Sequence, residues 1–168
     1  QGNITKAIQL YEKAIELDPD YAWAYINLGF AYKDQGNITK AIESFEKAIE
    51  LDPDIAIAYN NLGFAYKDQG NITKAIQLYE KAIELDPDYA LVYINLGFAY
   101  YNQGNITKAI ESFEKAIELD PDNAVTYYNL GVAYHNSNPD KALIYYKKAA
   151  RLGHKDIQDW LKKNGHEW

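Results

Sequence analysis

The string Gln-Gly-Asn-Ile-Thr-Lys-Ala-Ile begins at residues 1, 35, 69 and 103, so the chain repeats itself every 34 residues. A unit of that length holds two short helices and cannot bury its apolar side alone. Each copy must cover the next, which restricts the chain to a stacked array. The first 34 residues and the third 34 differ only at Trp23/Leu91, Ala24/Val92, Lys33/Tyr101 and Asp34/Asn102. The second and fourth copies carry Glu43, Ser44, Phe45 and Glu111, Ser112, Phe113 where the first and third carry Gln9, Leu10, Tyr11 and Gln77, Leu78, Tyr79. The larger unit is therefore a pair of repeats, made by recent duplication or by design.

Punctuation inside one period predicts two helices. Pro19 lacks an amide hydrogen and turns its predecessor away from the helical region, so Asp18-Pro19-Asp20 ends one helix. Asp20 is then expected to cap the next, here termed helix A. Gly36 in the left-handed conformation ends helix A, and Asn37 is expected to cap the following helix B. On helix A, Tyr25, Leu28, Gly29 and Tyr32 form one stripe at the helical period; on helix B, Ala41, Phe45, Ala48 and Ile49 form another. The two stripes face each other. Gly29 costs about 1 kcal/mol against Ala in mid-helix, and a close approach of the two backbones is the predicted reason.

These residues resemble a known family. The pattern Tyr25, Leu28, Gly29, Tyr32, then Ala41, Phe45, then Pro53 is similar to the tetratricopeptide repeat (TPR). It recurs at Tyr59, Leu62, Gly63, Tyr66, Ala75, Tyr79, Pro87, at Tyr93, Leu96, Gly97, Tyr100, Ala109, Phe113, Pro121, and in part at Tyr127, Leu130, Gly131, Tyr134. The resemblance implies an all-α fold: a right-handed α-solenoid of stacked helix-turn-helix hairpins, with a concave face lined by the A helices and used to bind peptides or proteins. One array is expected over 1–168. Its parts are a lone helix B of a truncated repeat at 1–20, full repeats at 21–54, 55–88 and 89–122, a divergent last repeat at 123–153, and a capping helix in 154–168. The last repeat, with Lys141 to His154, is similar to the Sel-like relatives of the TPR. Ile157, Trp160 and Leu161 at helical spacing mark the cap that a solenoid needs to stay soluble.

Composition narrows the partners. With 16 Tyr, 3 Trp and 5 Phe the chain is too apolar to stay unfolded. A formal charge of −7 opposes nucleic acid as a partner, which needs a cationic stripe to displace counterions. No apolar run reaches the roughly 18 residues of a membrane helix, so no membrane insertion is expected, and a cytoplasmic location fits. The absence of cysteine removes disulfide and thiol chemistry. A first residue other than Met reads as a processed or excised piece, which leaves any signal peptide open.

Catalytic and cofactor signals are lacking. The tripeptides at Asn3, Asn37, Asn71 and Asn105 match the glycosylation sequon, but their positions are those of helix B caps. His135, His154 and His166 have no helical-spaced ligand partner, so no metal or other cofactor is expected. The acids recur with the repeat as a solvated face, with Glu43 and Glu111 spaced to pair with Lys47 and Lys115. No nucleophile set or phosphate-cradling loop stands out, and no enzyme is predicted.

The informative residues lie on the other side of helix A. At 100° per residue, Trp23, Ile26, Phe30 and Lys33 point nearly opposite to Tyr25, Leu28 and Tyr32. Their equivalents are Ile57, Asn60, Phe64 and Lys67, then Leu91, Ile94, Phe98 and Tyr101, then Val125, Tyr128, Val132 and His135. The TPR resemblance makes these the concave-groove positions. The groove is thus predicted to be apolar and aromatic, and exposed apolar strips mark partner sites. Beside it run Asn27, Asn61, Asn95 and Asn129, whose amides can donate to and accept from a peptide backbone. TPR domains that clamp chaperone tails use Lys, Asn and Arg there; Ile26, Phe30, Leu91 and Asn95 argue against that use.

The leading functional reading is a non-catalytic adaptor gripping an apolar or amphipathic peptide or helix through Phe30, Phe64 and Phe98. A second is a self-associating module joined through the half repeat, whose Ile4, Ala7, Ile8, Tyr11, Ala14 and Ile15 face outward. A third is the targeting arm of a longer enzyme.

Overall fold

A computed structural model describes residues 2–168 and shows ten helices among them. The chain divides into two compact units, one ending at Pro87 and one running from Asp88 to Trp168. The first holds α1 (Gly2–Leu17), α2 (Ala22–Asp34), α3 (Ile38–Leu51), α4 (Ala56–Asp68) and α5 (Ile72–Leu85). The second holds α6 (Ala90–Asn102), α7 (Ile106–Leu119), α8 (Ala124–Tyr134), α9 (Pro139–Arg151) and α10 (Lys155–Lys163).

The helices begin and end where the punctuation demands. Gly36, Gly70 and Gly104 all take positive φ, at 82°, 89° and 84°. That left-handed turn lets the Asn37 amide reach back to the Tyr32 carbonyl at 2.8 Å, closing the last turn of α2. Asn37, Asn71 and Asn105 then accept from the amides of Lys40, Lys74 and Lys108 at 3.2, 3.1 and 3.2 Å, as N-caps do. Asn3 differs, since it lies inside α1. Asp20 does not cap α2. The N-cap is Tyr21, which has no capping side chain, and the Asp20 amide instead donates to Asp18 Oδ1 at 3.2 Å. The aspartates thus shape the Asp-Pro-Asp turn, and only α8 gains a capped helix A, through Asn123 and the Thr126 amide.

Within the first unit α2 packs on α3 and α4 on α5, with α1 against α2 and α3 against α4. The second unit repeats this with α6 on α7, α8 on α9, and α10 closing over α9. The fold is all-α, an α-solenoid arrangement of helix-turn-helix hairpins stacked in each unit. Ala41, Phe45 and Ala48 are fully buried, as are Ala75, Tyr79 and Ala82. The mid-helix glycines make room for rings rather than for backbone alone. A Cβ built on Gly29, Gly63, Gly97 or Gly131 would lie 2.6, 2.8, 2.7 or 2.5 Å from the ring of Phe45, Tyr79, Phe113 or Tyr146. In two hairpins a backbone oxygen would also lie close to that Cβ, Ala75 O at 3.2 Å for Gly63 and Ala142 O at 3.3 Å for Gly131.

Polar contacts tie neighbouring hairpins together. The Tyr32 hydroxyl donates to Glu12 Oε1 at 2.8 Å, and Tyr66 donates to Glu46 Oε1 at 2.9 Å. The surface ion pairs take a shorter spacing than the sequence suggests. Lys47, Lys81 and Lys115 bond Glu50, Glu84 and Glu118 three residues on, at 3.0, 3.0 and 2.9 Å. Glu43 and Glu111 are not the carboxylates they choose.

Candidate functional site

In the first unit the outer side of α2 and α4 is only partly open. Trp23 is exposed and Asn27, Phe30, Lys33, Ile57, Phe64 and Lys67 are half-buried. Ile26, Asn60 and Asn61 are not available to a partner. Ile26 is 0% exposed, inside the cluster around Phe45, and Asn60 and Asn61 are buried as well. The Asn61 amide donates to the Ile57 carbonyl one turn back at 2.6 Å, so its hydrogen bond is spent within α4. Phe64 carries two cations. Lys67 Nζ lies 3.7 Å from its ring centroid and Lys33 Nζ 4.8 Å, the geometry of cation–π attraction. Phe30 meets Phe45 edge to face at 5.7 Å, with Lys33 Nζ 5.4 Å from its ring.

The second unit presents a different surface. Leu91, Phe98 and Val125 are exposed, Phe98 at 41%, while Ile94, Asn95, Tyr101, Tyr128, Asn129 and Val132 are half-buried. Phe98, Tyr101, Phe113, Tyr128, Asn129 and Val132 wall a hollow of about 100 Å³. Five of these six are residues the sequence nominated; Phe113 is the helix B ring that forms the floor. Tyr128 also borders a second hollow, of about 180 Å³, between His135, Tyr146, Ile157 and Trp160. Its rings pack at tilted or edge geometry, Tyr128 to Tyr146 at 6.2 Å and Tyr146 to Trp160 at 5.6 Å. Burial pushes the Tyr146 phenol up.

The sequence places Trp160 and Ile157 in the cap, and nothing in the repeat marks them as pocket residues. Only the fold of α10 onto α9 brings them beside Tyr128. His154, just before α10, packs on Tyr128 with ring centroids 4.8 Å apart and planes tilted by 41°, and has a buried Nδ1 without a hydrogen-bond partner. A larger hollow, about 640 Å³, lies at the tail between Lys162, Gly165, His166, Glu167 and Trp168. Most of those residues are exposed, so it lacks the enclosing walls of the two aromatic hollows. Among the described residues no group of three or more His, Cys, Asp or Glu side chains converges as metal ligands do. Among the described residues no helix is long and apolar enough to cross a membrane.

Comparison with known proteins agrees with this architecture. The family model described as TPR repeat matches at residues 1–36, 31–70, 65–104 and 99–138, and the Sel1 repeat model matches at 124–154. A crystal structure of MamA is 35% identical, with a TM-score of 0.83 over 94% of this chain and 92% of that one. YrrB, whose structure is described as that of a TPR protein with an unusual peptide-binding site, is 27% identical, with a TM-score of 0.77 over 96% of this chain and 84% of that one. PilF of Pseudomonas aeruginosa is 26% identical, with a TM-score of 0.84 over 90% of this chain and 70% of that one. No curated protein sequence matches the chain. With TPR repeat matches across residues 1–138 and a Sel1 repeat in the last hairpin, the chain belongs to the TPR repeat family and is built as a protein-interaction scaffold.

Proposed function

We propose that the chain is a non-catalytic scaffold that holds an apolar or amphipathic peptide or helix against the outer faces of its A helices. The observation that carries this reading is the walled hollow of about 100 Å³ between Phe98, Tyr101, Tyr128 and Val132. Its walls are rings and a branched aliphatic chain, so a partner's apolar side chain gains from leaving water there. Asn129 sits at the same hollow with an amide able to donate and accept, which suits a peptide backbone. The description of YrrB supports the class of ligand. In the first unit Lys33 and Lys67 lie over Phe64, and because Lys67 is already paired with Asp68 at 3.3 Å, Lys33 is the cation that would favour a partner carrying a carboxylate beside its apolar residues.

The test is capture of amphipathic peptides from a display library by the whole chain, followed by anisotropy titration. Phe98→Glu is expected to weaken binding more than tenfold, because it puts a charge against an apolar ligand, with helical content by circular dichroism unchanged. Phe64→Glu, assayed separately, reports the contribution of the first unit. Undiminished binding by both variants would overturn the reading.

A further inference from the structure

The hollow of about 180 Å³ in the second unit is walled by Tyr128, His135, Tyr146, Ile157 and Trp160, with no carboxylate, lysine or arginine among its walls. All but Ile157 are aromatic. Their rings stand at angles to one another rather than in a stack, Tyr128 to Tyr146 with planes 34° apart, His135 to Tyr146 48° and Tyr146 to Trp160 63°. Elsewhere the chain covers its rings with its own lysines. An ammonium nitrogen lies 3.7 Å from the ring centroid of Phe64, 4.2 Å from Tyr134, 4.9 Å from Tyr100, 5.0 Å from Tyr32, 5.4 Å from Phe30 and 5.5 Å from Tyr127. Among the described residues none lies over Tyr128, Tyr146 or Trp160. The repeat gives the reason, since the position of Lys33 and Lys67 in the first unit is held by Tyr101 and His135 in the second. Burial, and then the phenols of Tyr128 and Tyr101, push the Tyr146 phenol up, whereas on the adjacent Tyr145 burial is opposed by Lys141.

From this arrangement we infer that the hollow is a binding site for a quaternary ammonium head, a trimethylammonium group. Ring faces attract a cation through their quadrupole, most strongly for tryptophan and when the cation leaves water. The lack of a carboxylate wall selects for methylation. A primary ammonium would bring three N–H donors that the rings cannot pair, and burying unpaired donors is costly; a trimethylammonium head brings none and sets its methyl groups against Ile157. Size agrees, because the hollow is well below the about 300–1,000 Å³ of pockets for drug-sized ligands and holds a head group alone. The chain's net charge of −7 favours the approach of a cation. The inference does not rest on the peptide-binding reading, which is carried by the neighbouring hollow on the Phe98 side of Tyr128.

The experiment titrates the whole chain with choline chloride at about pH 8, above the ordinary histidine range, and follows the Trp160 indole N–H and the Tyr128 ring by NMR. Saturable shifts are expected, with choline binding at least about tenfold more tightly than its neutral carbon isostere, equivalent to about 1.4 kcal/mol. Trp160→Leu keeps an apolar wall without a π face and should erase that preference, and Trp160→Phe should restore part of it. Trp160 is 40% exposed, so helical content should be unchanged in both. Phe98→Glu lies outside this hollow and should leave choline binding intact, so failure here and failure of the peptide-binding reading are told apart. A trimethyllysine peptide that binds more tightly than choline would assign the head group to a peptide, and equal affinity would assign it to a free small molecule; both support the site. The inference is overturned by the absence of a saturable shift, by equal affinity for the neutral isostere or for ethanolamine, or by a preference for choline that survives in Trp160→Leu.

Discussion

Tyr79 carries a hydroxyl where Phe45 and Phe113 carry none, and that oxygen is buried with no hydrogen-bond partner. Burial, with Asp68 adding its charge, pushes the phenol far above its ordinary value. Thr126 is in the same position, its Oγ1 buried and unpartnered where the earlier repeats have Ala24, Ala58 and Val92. An unpaired buried hydroxyl costs about 1 to 3 kcal/mol. Tyr79→Phe and Thr126→Val should therefore each stabilise the chain by about 1 kcal/mol, read as a higher urea midpoint at unchanged slope. The glycines make the opposite case. Helix propensity alone would have Gly97→Ala stabilise by about 1 kcal/mol. The added Cβ would lie 2.7 Å from the Phe113 ring, itself 1% exposed and unable to move aside, and such overpacking costs about 1 to 3 kcal/mol. A net loss of about 1 kcal/mol on chemical denaturation is expected; a gain would show that the ring yields.

Helices α3, α5, α7 and α9 start on an asparagine side-chain cap, whereas α2, α4 and α6 follow Tyr21, Ile55 and Tyr89 and have none. Asn71→Ala should cost about 1 kcal/mol by removing the acceptor for the Lys74 amide. Asp20→Ala should change little, since Asp20 contributes its backbone amide to the turn and not its carboxylate to α2. The contrast, measured on the same denaturation curves, separates a cap from a turn residue where composition cannot. The reason the sequence misassigned Asp20 is geometric: Asp18 takes the turn amide, and helix α2 begins two residues after Asp20, at Ala22. At the same scale the lysines pair at the i+3 position while sequence spacing favoured i+4, and the hydrogen bonds to Glu50, Glu84 and Glu118 raise all three lysine pKa values.

Across the whole molecule the tyrosines couple packing to pH. Burial together with Glu12 pushes the Tyr32 phenol from its ordinary value near 10 up to about 12, and Glu46 raises Tyr66. A group that holds its proton more tightly when folded stabilises the fold below its unfolded pKa and loses that contribution as pH rises through the folded one. The chain should therefore hold its stability up to about pH 10 and lose it progressively between about pH 10 and 12. Phenolate absorbance and helical ellipticity should change together, and Tyr32→Phe should flatten the slope. A flat stability profile through that range would contradict the hydrogen bonds from Tyr32 and Tyr66 to the preceding helix B.

The period, the positions of the turns and the stripe that joins each helix pair were determined by the amino-acid sequence alone, because each follows from backbone dihedral limits and from the angular spacing of apolar residues. The same reasoning points to the outer face of helix A, whose Phe98, Tyr101, Tyr128, Asn129 and Val132 wall one hollow. Which members of that face remain open was decided only by tertiary packing. Ile26 and Ile94 occupy equivalent positions, and one is sealed in the core while the other is half-buried. The identical sequences of α1 and α5 show the same thing for a whole helix, since exposure depends on what packs on a residue, and a residue carries no record of its neighbours in space.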